Sequence, residues 1–255
     1  MSELATITTR LRAAGCVFAE EEAAVLLHSG VSSDALERLV QRRVAGEPLE
    51  VVVGWAQFYG LRVAVDANVF VPRRRTELVV REALAATPGD AVLVDLCCGS
   101  GAIGAAMQAA LPDATVYASD LQPDAVRVAR RNLPAHRVFE GDLFDALPRD
   151  LRGVIDVLAV NAPYVPSDEI RLMPPEAREH EPLVTLDGGT DGLDLHRRIA
   201  AEAFSWLTPG GRLVIETSRR QAPVTAAVLR EAGFTALIVR DEQIDATVVT
   251  ASAPQ

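Results

Sequence analysis

The order of apolar and polar positions divides the chain into three stretches. Over the first third, "ELATITTRLRAAG", "AEEEAAVLLHSG" and "SSDALERLVQRRVAG" repeat apolar residues at helical spacing and close on a glycine, predicting three short helices with Ser32 or Ser33 capping the third. They bury little surface by themselves. They lead into "LEVVVGWAQFYGLRVAVDANVFVP", where β-branched and aromatic residues punctuated by Gly54 and Gly60 predict a β-hairpin. From "TELVVREALAA" onward, five short apolar runs alternate with helical segments: "AVLVDLC", "TVYASD", "RVFEGD", "VIDVLAVN" and "GRLVIETS". That alternation predicts a parallel sheet with helices wound on both faces. The tail, "FTALIVRDEQIDATVVTAS", holds two further strand-like runs with a short polar link and no room for a helix, so the sheet is expected to end in an antiparallel hairpin. The expected units are a helical domain over 1–47, a hairpin linker over 48–72 and an α/β domain over 73–255, with the boundary near Pro72.

Composition narrows the class. With 255 residues, 49% hydrophobic and 24% charged, the chain can bury a core of one large domain or of one domain plus an accessory. No apolar run approaches the roughly 18 residues of a membrane span. Glu3 precedes any apolar stretch, unlike a secretory signal, so a cytoplasmic protein is expected. The cysteines Cys16, Cys97 and Cys98 lack metal-ligand spacing and the histidines are scattered, so no structural metal is expected. A net charge of −10 repels a phosphate backbone, which argues against a nucleic-acid partner. The clusters "RRR" at 73–75 and "RR" at 219–220 are solvated helix ends or ion pairs, unless they share one face. All 25 basic residues are arginine, which excludes lysine Schiff-base chemistry and a Walker-type phosphate loop.

In an open α/β sheet, ligands sit beyond the carboxyl ends of the strands. After the first strand of the α/β unit, "DLCCGSGAIG" places Gly99 and Gly101 where the backbone turns tightly into a helix whose amides face a ligand; a turn with no ligand is the alternative. After the second, Asp120 is placed to accept hydrogen bonds from both ribose hydroxyls of an adenosine cofactor, or to cap the next helix. After the third, Asp142 can accept from an adenine amino group or face solvent. Three strand ends each carry the group that an adenosine ligand requires, such as the adenosyl part of S-adenosylmethionine (AdoMet). Seven strands ending in a hairpin likewise resemble the class I AdoMet-dependent methyltransferases, a Rossmann-like arrangement.

The fourth strand stops on Asn161 and breaks into Ala162, Pro163 and Tyr164. For methyl transfer to nitrogen, the cofactor brings the electrophile and the protein supplies position and electrostatics. An amide or aniline-like nitrogen has its lone pair delocalised. The Asn161 side-chain oxygen and the carbonyl of residue 162 can hold its N–H groups and turn the lone pair toward the methyl. Tyr164 can stack on the planar acceptor, and Pro163 restricts the turn.

These residues resemble the protein-(glutamine-N5) methyltransferases of the HemK/PrmC type, which modify release factors or a ribosomal protein. The resemblance covers most of the chain. "GEPLEVVVGWAQFYGLRVAV" and "VPRRRTELVV" are similar to the family's linker and entry into the catalytic domain, "DLCCGSGAIG" to its glycine motif, and "NAPYVP" to its asparagine-proline-proline-tyrosine signature. "EHEPLVTLDGGTDGLDLHRRI" carries the most specific signal, and "LTPGGRLVIETSRRQA" also follows the pattern. The resemblance implies AdoMet as cofactor, S-adenosylhomocysteine as product, a protein partner bearing a target glutamine, and an N-terminal domain that grips it. It further implies catalytic roles for Asn161, Pro163 and Tyr164, and cofactor contacts by Asp95, Cys97, Gly99, Gly101, Asp120, Leu121, Asp142, Leu143 and Asn161. Substrate contacts are implied for Arg73, Glu77, Glu181 and the stretch Asn161, Ala162, Pro163, Tyr164.

The chain departs from that pattern at named positions. Cys97 and Cys98 stand for a glycine and a small residue, Arg74 and Arg75 for a proline and an acidic residue, His196 for an aromatic, Ser218 for a glycine and Ala162 for the first proline of the signature. The last frees one φ angle, a loss of preorganisation of about 0.4–1 kcal/mol. Transfer to an exocyclic amine of a nucleic-acid base, transfer to a small-molecule or peptide nitrogen, and a non-catalytic AdoMet-binding module are the alternatives.

Overall fold

The computed structural model describes residues 2–174, 178 and 180–254. Four helices open the chain: α1 Glu3–Ala13, α2 Ala19–Leu27, α3 Ser33–Val44 and α4 Leu49–Val53. Their apolar faces meet in a separate small core of Ile7, Leu11, Ala23, Leu26, Leu36, Val40 and Val52. Arg43 of α3 reaches Glu22 of α2 at 2.6 Å inside it, which ties the two helices at a site where an unpaired charge would be costly. Ser32 is the N-cap residue of α3, without a side-chain cap bond.

The run Leu49–Val53, read as the start of the hairpin, is instead helix α4. Pro48 presets the entry, Val52 packs into the helical core, and Gly54 ends the turn in the left-handed region at φ 81°. Burial therefore outweighs the strand preference of the valines. The hairpin itself is β1 Trp55–Phe58 and β2 Leu61–Ala64. Tyr59 and Gly60 both have positive φ, 47° and 78°, as a two-residue hairpin turn requires. Asn132 fixes the hairpin to the rest: it donates to the Ala64 carbonyl at 2.9 Å and accepts from the Ala64 amide at 2.8 Å.

The remaining strands are β3 Val92–Leu96, β4 Thr115–Asp120, β5 Val138–Glu140, β6 Ile155–Val160, β7 Leu207–Glu216, β8 Thr235–Asp241 and β9 Ala246–Ser252. They form one sheet in the order β5-β4-β3-β6-β7-β9-β8. Strands β3 to β7 pair in parallel, and β9 runs antiparallel to both β7 and β8. The terminal hairpin is thus present, with its second strand inserted between β7 and its first.

Helices α5 Glu77–Leu84, α6 Ala102–Ala110 and α7 Pro123–Asn132 cover one face, and α8 Asp194–Ala203 and α9 Ala222–Glu231 the other. Alternate strand residues serve the two faces: Val157 and Ala159 enter the first core, Ile155, Leu158 and Val160 the second. Burial on both sides explains why β6 reads as a continuous apolar run. Strand order reverses between β3 and β6, and the carboxyl ends flanking that crevice carry the candidate site.

Candidate active site

The first wall is the loop from β3 into α6. Gly99 and Gly101 take φ 54° and 75°, and a Cβ on Gly101 would sit 3.1 Å from Ala129 Cβ. The loop is pressed between the cavity and α7. Gly104 completes a Gly-x-Gly-x-x-Gly spacing: its added Cβ would lie 2.9 Å from Leu133 Cδ1. Its amide donates to Asp95 Oδ2 at 2.8 Å. Asp95 is wholly buried beneath the loop and does not line the cavity. Burial pushes its carboxyl well above the usual range. Cys97 lines the cavity and holds φ 59°, a conformation that its glycine counterpart would adopt without steric penalty. Burial, then the charge of Asp120, pushes both thiols up, so neither has thiolate reactivity.

The second wall follows β4 and β5. Asp120 Oδ2 accepts from the Gly99 amide at 2.8 Å and Oδ1 from the Gln122 amide at 2.9 Å. The carboxylate therefore ties the glycine loop to the start of α7 while lining the cavity. Each oxygen keeps a second lone pair. Burial raises its pKa against the opposing effect of these amides. Leu121 and Leu143 supply apolar surface to the same cavity, Leu143 at φ 48°. Asp142 Oδ2 accepts from Arg198 of α8 at 2.8 Å.

The third wall is the turn after β6. Asn161 Nδ2 donates to Thr76 Oγ1 at 3.3 Å, so in this orientation Oδ1 is the acceptor left for a ligand. Among the described residues nothing donates to the Ala162 carbonyl. The Tyr164 hydroxyl donates to Glu216 Oε1 at 3.0 Å, and Arg75 Nε donates to the same oxygen at 3.2 Å. Burial, then Glu216, raises the Tyr164 pKa, so the phenol stays protonated.

Behind this turn lies the glycine-rich segment. Val165 donates to Leu186 O at 3.0 Å and its carbonyl accepts from Gly188 at 2.9 Å. Gln221 Nε2 bridges the Tyr164 carbonyl, 2.8 Å, and the Asp191 carbonyl, 2.9 Å. A Cβ on Gly192 would lie 2.2 Å from Tyr164 O, and one on Gly188 2.6 Å from Gly192 O. Only glycine permits this approach. Ser218 donates to Gln221 Oε1, fixing the amide that makes the bridge.

Three residues expected to meet substrate are occupied elsewhere. Arg73 pairs with Glu181, and Glu77 Oε1 accepts from the Tyr59 amide at 3.1 Å. None of the three lines the cavity. Glu179, which opens the motif before Pro182, lies outside the described residues. Conversely, Thr76, Arg75, Glu216 and Gln221 all serve the turn, although none was singled out as a site residue. Glu216 ends β7, so the strand-end rule could have found it.

The walls enclose a cavity of about 410 Å³, within the range of small-molecule sites. A glycine loop at a helix start, a carboxylate beside it, an apolar slot and a pair of carbonyls that no described residue claims fit an adenosine-bearing sulfonium. Fold and site together define a class I AdoMet-dependent methyltransferase. Residues 62–172 match the Methyltransferase small domain. Release factor glutamine methyltransferases of several bacteria are 31–40% identical to the chain. That of Streptomyces coelicolor is 40% identical over 241 residues, covering 87% of the chain and 85% of the relative. A Streptomyces pristinaespiralis protein, 4-amino-L-phenylalanine/4-methylamino-L-phenylalanine methyltransferase, is 36% identical over 203 residues, 76% of the chain and 69% of the relative. A methyltransferase from Pyrococcus furiosus shares the fold, with TM-score 0.58 and 16% identity over 88% of the chain and all of that structure. The chain belongs to the release factor glutamine methyltransferase family.

Proposed function

We propose that the protein methylates the side-chain amide nitrogen (N5) of a glutamine in a protein substrate of the release-factor type. The observation that carries this reading is the pair of acceptors at the turn after β6: Asn161 Oδ1, opposite the Thr76 contact, and the carbonyl of Ala162, to which none of the described residues donates. A primary amide has two N–H groups, and two acceptors hold both. Held this way, the nitrogen presents its face to the cavity rather than an N–H. AdoMet supplies the electrophilic methyl when bound. Gly99, Cys97, Asp120, Leu121, Asp142 and Leu143 line its side of the cavity; Gly101 turns the loop into the helix and Asp95 supports it from below. Tyr164 covers the acceptor with its ring, and Pro163 stiffens the turn.

In this reading residues 1–47 form the part that grips the protein partner, 48–72 the linker, and 73–255 the catalytic domain. No helix among the described residues is long and apolar enough to cross a membrane, and action on a cytoplasmic partner accords with that. The net charge of −10 disfavours a nucleic-acid partner.

A second reading has one observation in its favour: the S. pristinaespiralis relative is named for an amino acid bearing an aniline nitrogen. A single assay separates them. The protein is incubated with labelled AdoMet and, in parallel, a purified bacterial peptide chain release factor or 4-amino-L-phenylalanine, and the methyl group is located by mass spectrometry. Label on a glutamine side chain of the release factor is expected. Label only on the small molecule would replace the glutamine reading. Asn161→Ala is expected to remove transfer while leaving AdoMet affinity by calorimetry nearly unchanged; loss of cofactor binding would show that the acceptor role is misassigned.

A further inference from the structure

The short turn Arg74–Thr76, which leads into α5, touches Asn161 through Thr76 and shares Glu216 with Tyr164 through Arg75, and both Arg75 and Thr76 line the cavity. Thr76 is buried, 2% exposed, and its hydroxyl meets the Asn161 amide at 3.3 Å. Arg75, one residue earlier, donates to Glu216 Oε1 at 3.2 Å, the same oxygen that receives the Tyr164 hydroxyl at 3.0 Å. Glu216 is almost wholly buried and its Oε2 has no partner among the described residues. A buried carboxylate without a cation beside it is costly, and Arg75 is the cation in contact with it.

We propose that Thr76 and Arg75 are positioning residues for the reaction: Thr76 holds the Asn161 side chain in place, and Arg75, acting through Glu216, fixes the ring of Tyr164. This rests on the acceptor binding at Asn161. An acidic side chain at position 75 would face Glu216 with like charge, whereas Arg75 braces the clamp by an ion pair. The same stretch is held at both ends, by Arg73 to Glu181 and by Glu77 to the hairpin amide of Tyr59. The brace is therefore anchored to the loop before Asp187 and to the linker.

The test uses the full-length protein. Thr76→Val keeps the shape and removes the hydroxyl; Thr76→Ser keeps the hydroxyl. Thr76→Val is expected to lower kcat at least tenfold with AdoMet Kd within twofold of the starting protein, and Thr76→Ser to restore kcat to within threefold. If Thr76→Val is fully active, or if both variants lose activity together with thermal stability, the positioning role is overturned. For the second arm, Arg75→Ala and Tyr164→Phe are made singly and together. If Arg75 acts through the phenol, the double variant is no slower than the worse single one; multiplying effects would overturn it.

One readout needs no acceptor. The chain has only three asparagines, Asn68, Asn132 and Asn161, so selective 15N labelling gives three side-chain amide pairs. With AdoMet bound, the Asn161 pair is expected to exchange with solvent faster in Thr76→Val than in Thr76→Ser or the starting protein. Unchanged exchange would sink the Thr76 contact. Absence of methyl transfer by the unaltered protein would instead overturn the acceptor reading, leaving the exchange measurement to decide the contact.

Discussion

Replacing Gly192 by alanine tests how the glycine-rich segment supports the clamp. Gly192 has φ +76°, and a Cβ there would fall 2.2 Å from Tyr164 O and 2.4 Å from Gln221 Nε2. The left-handed conformation costs an L-residue about 1–2 kcal/mol. Relieving the clash displaces Gln221 from the carbonyls of Tyr164 and Asp191, 2.8 and 2.9 Å away. Each lost hydrogen bond costs about 0.5–1.5 kcal/mol. Alanine returns about 0.4–1 kcal/mol by restricting the unfolded chain. The net loss is about 1–5 kcal/mol, which for a chain of this length lowers Tm by about 2–20 °C. Thermal unfolding followed by circular dichroism measures it, with AdoMet calorimetry and methyl transfer run on the same preparation. Gly192 does not line the cavity, so transfer is expected to fall much further than AdoMet affinity. A Gly192→Ala protein with unchanged Tm and unchanged transfer would refute the idea that this segment braces the turn.

Asp120→Ala removes the acceptor of the Gly99 and Gln122 amides and is expected to weaken AdoMet binding by about 1.5–3 kcal/mol; an unchanged Kd by calorimetry would rule out its cofactor role. Cys97→Gly relieves a left-handed residue, so stability is expected to change by less than about 1 kcal/mol with AdoMet binding not weakened; a tenfold weaker Kd would show that the thiol makes a needed contact. His196 is buried against Thr225 at 3.0 Å, and burial pushes its pKa down to about 4 from 6.5. The unfolded chain then binds the proton more readily, so stability is full above pH 6.5 and drains away as pH falls toward about 4. The loss attributable to His196 is about 2–4 kcal/mol. His196→Gln is expected to flatten that slope in urea titrations between those limits, and a parallel slope in both proteins would overturn the assignment.

The positions that the sequence made legible share one property: local pattern alone decides them. Alternation of apolar runs and helices identified the sheet, because strands buried on both faces must be continuously apolar. Strand ends marked Gly99, Asp120, Asp142 and Asn161, because parallel topology puts every such end on one side. The misread element was Leu49–Val53, where three valines favour a strand and the packing of Val52 among the N-terminal helices makes a helix. Asp120 was read as either a ribose acceptor or a helix cap; the fold shows its carboxylate on backbone amides within a cavity wall, so the alternatives are not exclusive.

By itself the sequence determined the class of fold, the order of its elements apart from α4, and the turn after β6, since these follow from periodicity and from residue types fixed along the chain. Which side chain meets which was decided by tertiary structure. Thr76 and Asn161 are separated by 85 positions, Tyr164 and Glu216 by 52, and Arg75 and Glu216 by 141. No local pattern encodes such pairings. They exist because α5 starts where the strands β6 and β7 end, and because a half-buried amide and phenol and a buried carboxylate meet there and pair.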